Sequence, residues 1–299
     1  IQNVSIHRRM ILGKDKTAIL AQGYQHLGRM ILAAEQKGQG LGIATVLGAD
    51  PSLVLASQIK APEGVDEAGI AGAFRGAPLE MVRCETIDVE VPANAEIVIE
   101  GVTVPGERVM DGPFGEFPGN YITLMGTPQT ETWVIKVTAI TMRKNPIFQA
   151  LLTGMPTTEN HCLKKWATAA DTFRVASGIA DVKSVNITRG SAGYHFVVSI
   201  RKRAEQEPKN LIYTLLSARL NCKQVTVVDD DIDVYDPEAV EWALATRMWA
   251  HRDIIIIPPL RRGPDDLPVP GMRGRHAQWG IDATAPLQDR QWYREALPG

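Results

Sequence analysis

A change in hydrophobic period near Pro146 constrains the fold more than any other feature of this sequence. Between residues 79 and 141, short segments alternate apolar and polar side chains between Pro, Gly and Asn turns, as antiparallel strands do. Beyond Pro146, strand-like and helix-like segments follow one another in turn, which is typical of α/β domains. We therefore expect two domains: residues 1–150 with a barrel or sandwich of strands, and residues 151–299 with a connecting helix and an α/β domain.

Local patterns predict the individual elements. Apolar residues at helical spacing predict a helix from Thr17 to Gln36, and β-branched residues predict a strand over residues 43–47. Asp50-Pro51 supplies an N-cap and a first-turn proline, so a short helix should follow. The other predicted elements are strands at residues 85–91, 96–104, 132–142, 184–187, 195–200, 225–228 and 254–257, and helices at residues 157–177, 208–220 and 237–249.

Composition excludes several classes of protein. A chain of 299 residues with 44% hydrophobic residues can bury a sizeable core, and its net charge of -2 gives no general attraction for nucleic acid or an anionic membrane. No apolar run approaches the roughly 20 residues of a membrane span. Cys84, Cys162 and Cys222 are odd in number and far apart, so we expect no disulfide and a cytoplasmic location. Because the sequence opens on Ile1, we also expect that further residues precede it.

The segment from Asp111 to Glu116 places two carboxylates around a Gly-Pro-Phe-Gly stretch. Glycine and proline favour a tight and defined backbone path, so such a loop can hold both acids against a ligand. A solvated hairpin tip has the same composition. The pattern alone leaves both interpretations open.

The opening segment is polar at alternate positions. In an extended chain, Asn3, Ser5 and His7 share one face while Arg8 points to the other, so one strand can serve two sites. Farther along, Gln25-His26 lies within the first predicted helix. An imidazole there can bind a metal ion or satisfy a hydrogen bond at the edge of the core, and by itself the structural role is the commoner one.

Several of these segments together resemble the UbiD family of decarboxylases. Asp111-Gly-Pro-Phe-Gly-Glu116 is similar to the family signature Glu-Gly-Pro-Phe-Gly-Glu, and Asn3-Val-Ser-Ile-His-Arg8 is similar to its Asn-x-Ser-Ile-x-Arg segment. Gln25-His26 follows at the expected spacing. The resemblance continues, in the same order, through residues 62–67, 82–86, 91–98, 229–234 and 280–284.

The resemblance implies a cofactor and two cations. Asn3, His26 and Glu67 would bind a divalent cation, usually Mn²⁺, that bridges the protein to the phosphate of prenylated FMN, with K⁺ near Ser57 or Glu67. A separate flavin prenyltransferase would supply the cofactor. The cofactor-binding residues implied are Asn3, Ser5, Ile6, Arg8, Gln25, His26, Ser57 and Glu67.

The resemblance also implies the reaction, a reversible, non-oxidative decarboxylation of an aromatic, heteroaromatic or α,β-unsaturated acid. Arg8, Asp111 and Glu116 would form the catalytic cluster, with Glu116 as the proton donor to the carbon that CO2 leaves. Asp111 departs from the family, which commonly has the longer Glu at this position. His161 and Met155 are candidates for lining the substrate pocket, or equally for a helix-cap or packing role.

The fold implied for residues 1–150 is a split β-barrel like that of flavin reductases, and the implied assembly is a homo-oligomer. The family normally carries a further amino-terminal domain that this sequence does not contain. One alternative is therefore a UbiD-like subunit of a multisubunit carboxylase without independent activity, and another is a flavin reductase-like oxidoreductase. Arg219 and Lys223 are weaker candidates for anion contacts. Residues 258–277 are predicted to form a long loop, and such a loop in a compact domain is more often functional or mobile than structural.

Overall fold

The structure is a computed structural model that describes residues 3–21, 23, 25–62, 64–119, 131–218, 220–258 and 277–293. The chain divides into two compact units that mix helices and sheets, which confirms an α+β fold. The first unit comprises Ile1–Phe114 and Tyr121–Leu152, and the second comprises Gly115–Asn120 and Thr153–Gly299. Among the described helices, none is long and apolar enough to cross a membrane.

The described part of the first unit contains three helices and seven strands. Its main sheet has the strand order β1-β2-β7-β6-β3, with every pair antiparallel, and β4 pairs with β5 in a separate ribbon. This order does not establish a split β-barrel, which stays a prediction. The elements are β1 Arg9–Ile11, β2 Lys16–Ile19, α1 His26–Gln36, β3 Gly42–Leu47, α2 Pro51–Ala56, α3 Glu67–Arg75, β4 Met81–Arg83, β5 Glu90–Pro92, β6 Ile97–Met110 and β7 Glu131–Met142.

The predicted helix from Thr17 to Gln36 is wrong over its first part. Thr17 to Ile19 belong to β2, which pairs with both β1 and β7, and the helix begins at His26. Ile19 is buried in the core of the unit together with Ile31 of α1. A short apolar run fits either period, and here its pairing with two strands decides the structure.

The predicted strand over residues 85–91 is also largely wrong, because only Glu90 and Val91 are in a strand. The backbone N–H groups of Glu85 and Thr86 donate to the buried carboxylate of Glu100, at 2.9 and 2.7 Å, and are not used in a strand pairing. A side chain thus satisfies backbone groups that a ladder would otherwise pair.

Two short helices begin at aspartate N-caps. Asp50 accepts a hydrogen bond from the Ser52 N–H at 2.9 Å, as its position before Pro51 predicts. Asp66 caps α3 in the same way through the Ala68 N–H. The second cap fixes Glu67 as the first residue of its helix.

The second unit contains the predicted alternation of helices and strands. Its sheet has the order β11-β12-β10-β9-β8, in which β12, β10 and β9 are parallel and the two outer strands are antiparallel. Apolar clusters lie on both faces, one with α5 and one with α6. The elements are α4 Glu159–Ala176, β8 Asp181–Ile187, β9 His195–Arg201, α5 Glu207–Ser217, β10 Gln224–Asp229, α6 Pro237–Arg247, α7 Ala250–Asp253, β11 Ile254–Ile257 and β12 Gln278–Ala283.

Candidate active site

Arg8 and Asp111 form an ion pair within the first unit. Arg8 immediately precedes β1, Asp111 immediately follows β6, and the Arg8 Nη2 donates to the Asp111 Oδ2. The Asp111 side chain is only 2% exposed, and that of Arg8 is 19% exposed. The guanidinium carbon of Arg8 also lies 4.3 Å from the centroid of the Phe114 ring. The guanidinium is therefore held in place by a charge-assisted hydrogen bond and an aromatic face.

The backbone conformation of the Asp111–Glu116 segment explains why position 112 is a glycine. Gly112 has φ = 80°, a left-handed conformation that favours glycine, and its N–H donates to the Met10 Sδ at 3.2 Å. Because Asp111 is buried, the interpretation of this segment as a solvated hairpin tip is wrong for the first carboxylate.

Asn3 and Glu67 meet at a second position in the same unit. The Asn3 Nδ2 donates to the Glu67 Oε1 at 3.0 Å, and the Val4 N–H donates to the Glu67 Oε2 at 3.0 Å. Glu67 is 3% exposed and forms no ion pair with a described Lys, Arg or His. A buried carboxylate with only neutral donors favours a cation as its further partner.

A chain of close polar contacts leads from Asn3 to the carbonyl of Leu20, the residue that follows β2. The Ser5 Oγ lies 3.3 Å from the Asn3 Oδ1 and 2.8 Å from the His7 Nε2, and the His7 Nδ1 lies 2.9 Å from the Leu20 carbonyl oxygen. Burial lowers the pKa of His7 and outweighs the hydrogen bond to the Leu20 carbonyl, which raises it; the nearby charge of Arg9 also lowers it. His7 is therefore neutral near pH 7.

The other cofactor-binding candidates of this unit are placed as follows. His26 is the first residue of α1, partly buried, and Gln25 is the N-cap. Within the described part of the unit, no hydrogen bond joins His26 to Asn3 or Glu67. Ser57 ends α2, where its Oγ donates to the Val54 carbonyl at 2.7 Å. The structure thus brings Asn3 and Glu67 together, and a shared site that includes His26 and Ser57 stays a prediction.

Glu116 belongs to the second unit, where several hydrogen bonds hold the turn on which it lies. Its carboxylate accepts a hydrogen bond from the Phe117 N–H at 2.9 Å, and its carbonyl accepts one from the Gly119 N–H at 2.8 Å. Thr153 holds the preceding residue by donating to the Gly115 carbonyl at 3.2 Å. Glu116 therefore lies on a tight turn. The catalytic cluster that would join it to Arg8 and Asp111 stays a prediction.

His161 anchors this turn to α4. Its Nδ1 lies 3.1 Å from the Thr158 N–H, so it accepts, and its Nε2 donates to the Phe117 carbonyl at 2.7 Å. The His161 and Phe117 rings stack at 4.4 Å, and the Lys164 Nζ lies 3.7 Å from the centroid of the Phe117 ring. Of its two expected roles, the structure shows the helix-cap and packing role for His161.

Phe117 is the residue of this turn that sequence reasoning missed. It is 7% exposed and lies between α4 and Gly193. A Cβ atom added at Gly193 would lie 3.4 Å from the Phe117 ring, so the ring packs directly against this glycine. The spacing of Thr158 and His161 matches a capping box, which marks the start of α4. This spacing was the available sequence signal for the helix start, and the same histidine also holds the turn at Phe117. Met155 is 76% exposed.

The weaker anion candidates lie apart from these positions in the sequence. The Lys223 Nζ lies 4.9 Å from the centroid of the Tyr194 ring, at the start of β10. Arg219 lies outside the described residues, and so do residues 259–276 of the predicted long loop.

Comparison with known families identifies the chain. The model described as "3-octaprenyl-4-hydroxybenzoate carboxy-lyase Rift-related domain" matches residues 1–156, and the corresponding carboxy-lyase C-terminal domain matches residues 162–283. The chain therefore belongs to the UbiD family of carboxy-lyases, as the motifs around Asn3 and Asp111 predict.

Individual relatives agree with this assignment. The anhydromevalonate phosphate decarboxylase of Methanothermobacter thermautotrophicus is 36% identical over 98% of this chain and 68% of its own length. The phenolic acid decarboxylase of Bacillus subtilis is 32% identical over 99% of this chain and 63% of its own length. The UbiD-class enzyme HmfF from Pelotomaculum thermopropionicum, solved in complex with FMN, is 41% identical with a TM-score of 0.89, over 99% of this chain and 65% of that one. The chain thus spans about two thirds of the length of these relatives.

Proposed function

We propose that this chain carries the cofactor-binding and catalytic residues of a prenylated-FMN-dependent decarboxylase. Its substrate would be an aromatic, heteroaromatic or α,β-unsaturated carboxylic acid, and the reaction would be reversible and non-oxidative. Relatives named as decarboxylases support the reaction class. An evolved form of HmfF, 40% identical to this chain, is solved in complex with prFMN, which supports the cofactor.

The observation that carries the proposal is the buried pairing of Arg8 with Asp111 beside the Phe114 ring. A guanidinium has five N–H donors in a rigid plane and can orient a carboxylate, often in a bidentate arrangement. We therefore assign Arg8 to orient the carboxylate of the substrate. Asp111 sets the orientation of that plane before substrate binds.

The donors at Asn3 and Glu67 fit a divalent cation. An amide oxygen and a carboxylate are ligands that Mn²⁺ accepts, and the imidazole of His26 would complete the proposed set. The buried carboxylate of Glu67, paired with neutral donors among the described residues, is the specific sign of such a site. K⁺ is proposed near Ser57 or Glu67. When bound, prenylated FMN supplies a sink for the electrons released as CO2 departs.

Glu116 is assigned as the acid that returns a proton to the carbon from which CO2 leaves. Its turn is held by Gly119, Thr153 and the anchored Phe117, so the carboxyl group is presented from a defined backbone. A general acid must lie within hydrogen-bond reach of the carbon it protonates, and such anchoring makes that reach reproducible. Asp111 is one methylene shorter than the Glu commonly found in the family, and the hydrogen bond that it accepts from Arg8 supports a role in holding that guanidinium.

The proposal extends to partners. A flavin prenyltransferase would supply the cofactor, the protein would act as a homo-oligomer in the cytoplasm, and the split β-barrel would hold the flavin. A UbiD-like subunit without independent activity is the alternative that the first experiment below distinguishes.

The experiment is to produce the protein together with a flavin prenyltransferase and to identify the small molecules that it releases, by mass spectrometry and absorbance. The proposal expects prenylated FMN with stoichiometric Mn²⁺, and decarboxylation of at least one acid in a panel of unsaturated acids. His26→Ala should lose both metal and flavin, whereas His251→Ala, at an exposed position, should lose neither. Holoenzyme without activity on any acid would favour the subunit, and absence of prenylated FMN would contradict the proposal.

A further inference from the structure

In the sequence, His7 lies between Asn3, a proposed cation ligand, and Arg8, and no role has been assigned to it. It is partly buried, and its two ring nitrogens have different partners. The Leu20 carbonyl oxygen can only accept, so the His7 Nδ1 must carry the hydrogen of that 2.9 Å bond. In the neutral ring the Nε2 is then an acceptor.

This assignment fixes the hydroxyl hydrogen of Ser5. The hydroxyl has one hydrogen and two neighbouring acceptors, the His7 Nε2 at 2.8 Å and the Asn3 Oδ1 at 3.3 Å. The shorter distance and the neutral ring both direct the hydrogen to His7. The longer contact to Asn3 is then one between two oxygen atoms without a hydrogen.

The consequence concerns the amide of Asn3. Its Nδ2 is committed to Glu67 at 3.0 Å, so its Oδ1 is the amide atom left for a cation. With the Ser5 hydrogen directed to His7, no described residue donates a hydrogen to the Asn3 Oδ1, and its lone pairs are available to the ion. A carbonyl oxygen that must bind a hard cation needs such free lone pairs.

We propose that His7 is a positioning residue for the cation site, which directs the Ser5 hydroxyl away from Asn3 and so leaves the Asn3 oxygen free to bind the metal ion. The inference rests on the proposed function, because it takes Asn3 as a ligand. His7 would not bind the ion itself but would act through Ser5 on the ligand Asn3. Loss of such an outer-shell partner weakens metal binding about 10–100-fold.

The competing role for His7 is purely structural, as an anchor between the opening segment and Leu20. Two amide substitutions separate these roles. An asparagine side chain reaches as far as the Nδ1 of histidine and can donate to the Leu20 carbonyl, but it does not reach Ser5. A glutamine reaches as far as the Nε2 and can accept from Ser5.

The experiment measures Mn²⁺ binding by the loss of the free-ion electron paramagnetic resonance signal, with FMN present, in the full chain. We expect His7→Asn to raise the dissociation constant of Mn²⁺ about 10-fold or more, and His7→Gln to change it by less than about threefold. In the Ser5→Ala background, His7→Asn should have little further effect, since the hydroxyl it directs is absent. His251→Asn, at an exposed position of the second unit, is the matched control.

Each outcome decides one claim. If His7→Asn binds Mn²⁺ as the wild type does, or if His7→Gln is weakened as much as His7→Asn, then His7 has only the structural role and the inference is overturned. If the wild type itself binds no Mn²⁺ with FMN, the proposed cation site fails, and the role of His7 fails with it. Thermal unfolding of every variant shows whether a loss of binding merely follows a loss of structure.

Discussion

The side-chain amide of Asn3 donates to the buried carboxylate of Glu67 at 3.0 Å. This contact joins the opening segment of the chain to the first residue of α3. It places two oxygen-bearing side chains together where the described residues supply no positive partner for the carboxylate, which is the physical basis for a cation at this point.

Removal of the charge at Glu67 tests the cation site. Glu67→Gln keeps an oxygen that can accept from Asn3 but removes the negative charge. We expect the affinity for Mn²⁺ in the presence of FMN to fall at least about 100-fold, since loss of an outer-shell partner alone costs about 10–100-fold. Equilibrium dialysis with metal analysis measures it. Glu85→Gln, an exposed carboxylate of the same unit, should leave the affinity unchanged, and equal affinities for both variants would refute the site.

The ion pair of Arg8 and Asp111 makes a prediction about stability. Asp111→Asn leaves a largely buried guanidinium without its carboxylate, so we expect the free energy of unfolding to fall by about 2 kcal/mol, less than for a fully buried pair because Arg8 is 19% exposed. Denaturant titration measures this.

A double variant provides the control for the ion pair. Arg8→Met combined with Asp111→Asn removes both charges, and it should be less destabilised than the sum of the two single variants. Additive losses would show that the two side chains do not interact in solution.

His161 makes a separate prediction for the second unit. His161→Phe keeps a ring that can stack on Phe117 but leaves the Phe117 carbonyl and the Thr158 N–H without the imidazole. An unsatisfied buried polar group costs about 1–3 kcal/mol, so we expect a loss of stability in this range or above it. His251→Phe is the exposed control. A loss no larger than that of the control would contradict the anchoring of the turn.

The acid stability of the second unit depends on His195. Burial lowers the pKa of His195 to about 4, whereas an unfolded histidine titrates near 6.5. Above pH 6.5 the ring is neutral in both states. As the pH falls from 6.5 to 4, the unfolded chain binds a proton that the folded chain does not, so stability should decrease by up to about 3 kcal/mol from this group.

The measurement for His195 is the free energy of unfolding as a function of pH. His195→Gln, which can still hydrogen-bond to the Thr226 hydroxyl that lies 2.9 Å from the His195 Nε2, should flatten the decrease between pH 6.5 and 4. An unchanged slope would show that His195 is solvated in the folded protein.

The sequence predicted the second unit well because its elements have distinct periods and clear caps. Thr158 and Pro237 stand at helix starts where they were expected, and β9 and β10 between them are buried over most of their length. In the first unit the prediction failed where tertiary contacts decide, as at Thr17 to Ile19, which pair on both sides.

Sequence reasoning predicted some features of the candidate site and missed others. The resemblance implied Arg8 and Asp111 as partners, and the structure brings them together. The assignment of residues 115–120 to the second unit carries no local sequence signal, because it depends on Phe117 packing among residues far along the chain. The positioning role proposed for His7 could not be predicted from the sequence, because it depends on the hydrogen bond between the His7 ring and the Leu20 carbonyl oxygen.

The most direct test of the proposed chemistry is the effect of Glu116→Gln on cofactor-loaded protein. In deuterated water, the wild type should decarboxylate its acid and place deuterium on the carbon that CO2 left, and Glu159→Gln, an exposed control, should do the same. We expect Glu116→Gln to retain prenylated FMN and Mn²⁺ but to lose decarboxylation and deuterium incorporation by about 100-fold or more, the range of a positioned general acid. Wild-type rates of both in Glu116→Gln would contradict the assignment of Glu116 as the proton donor.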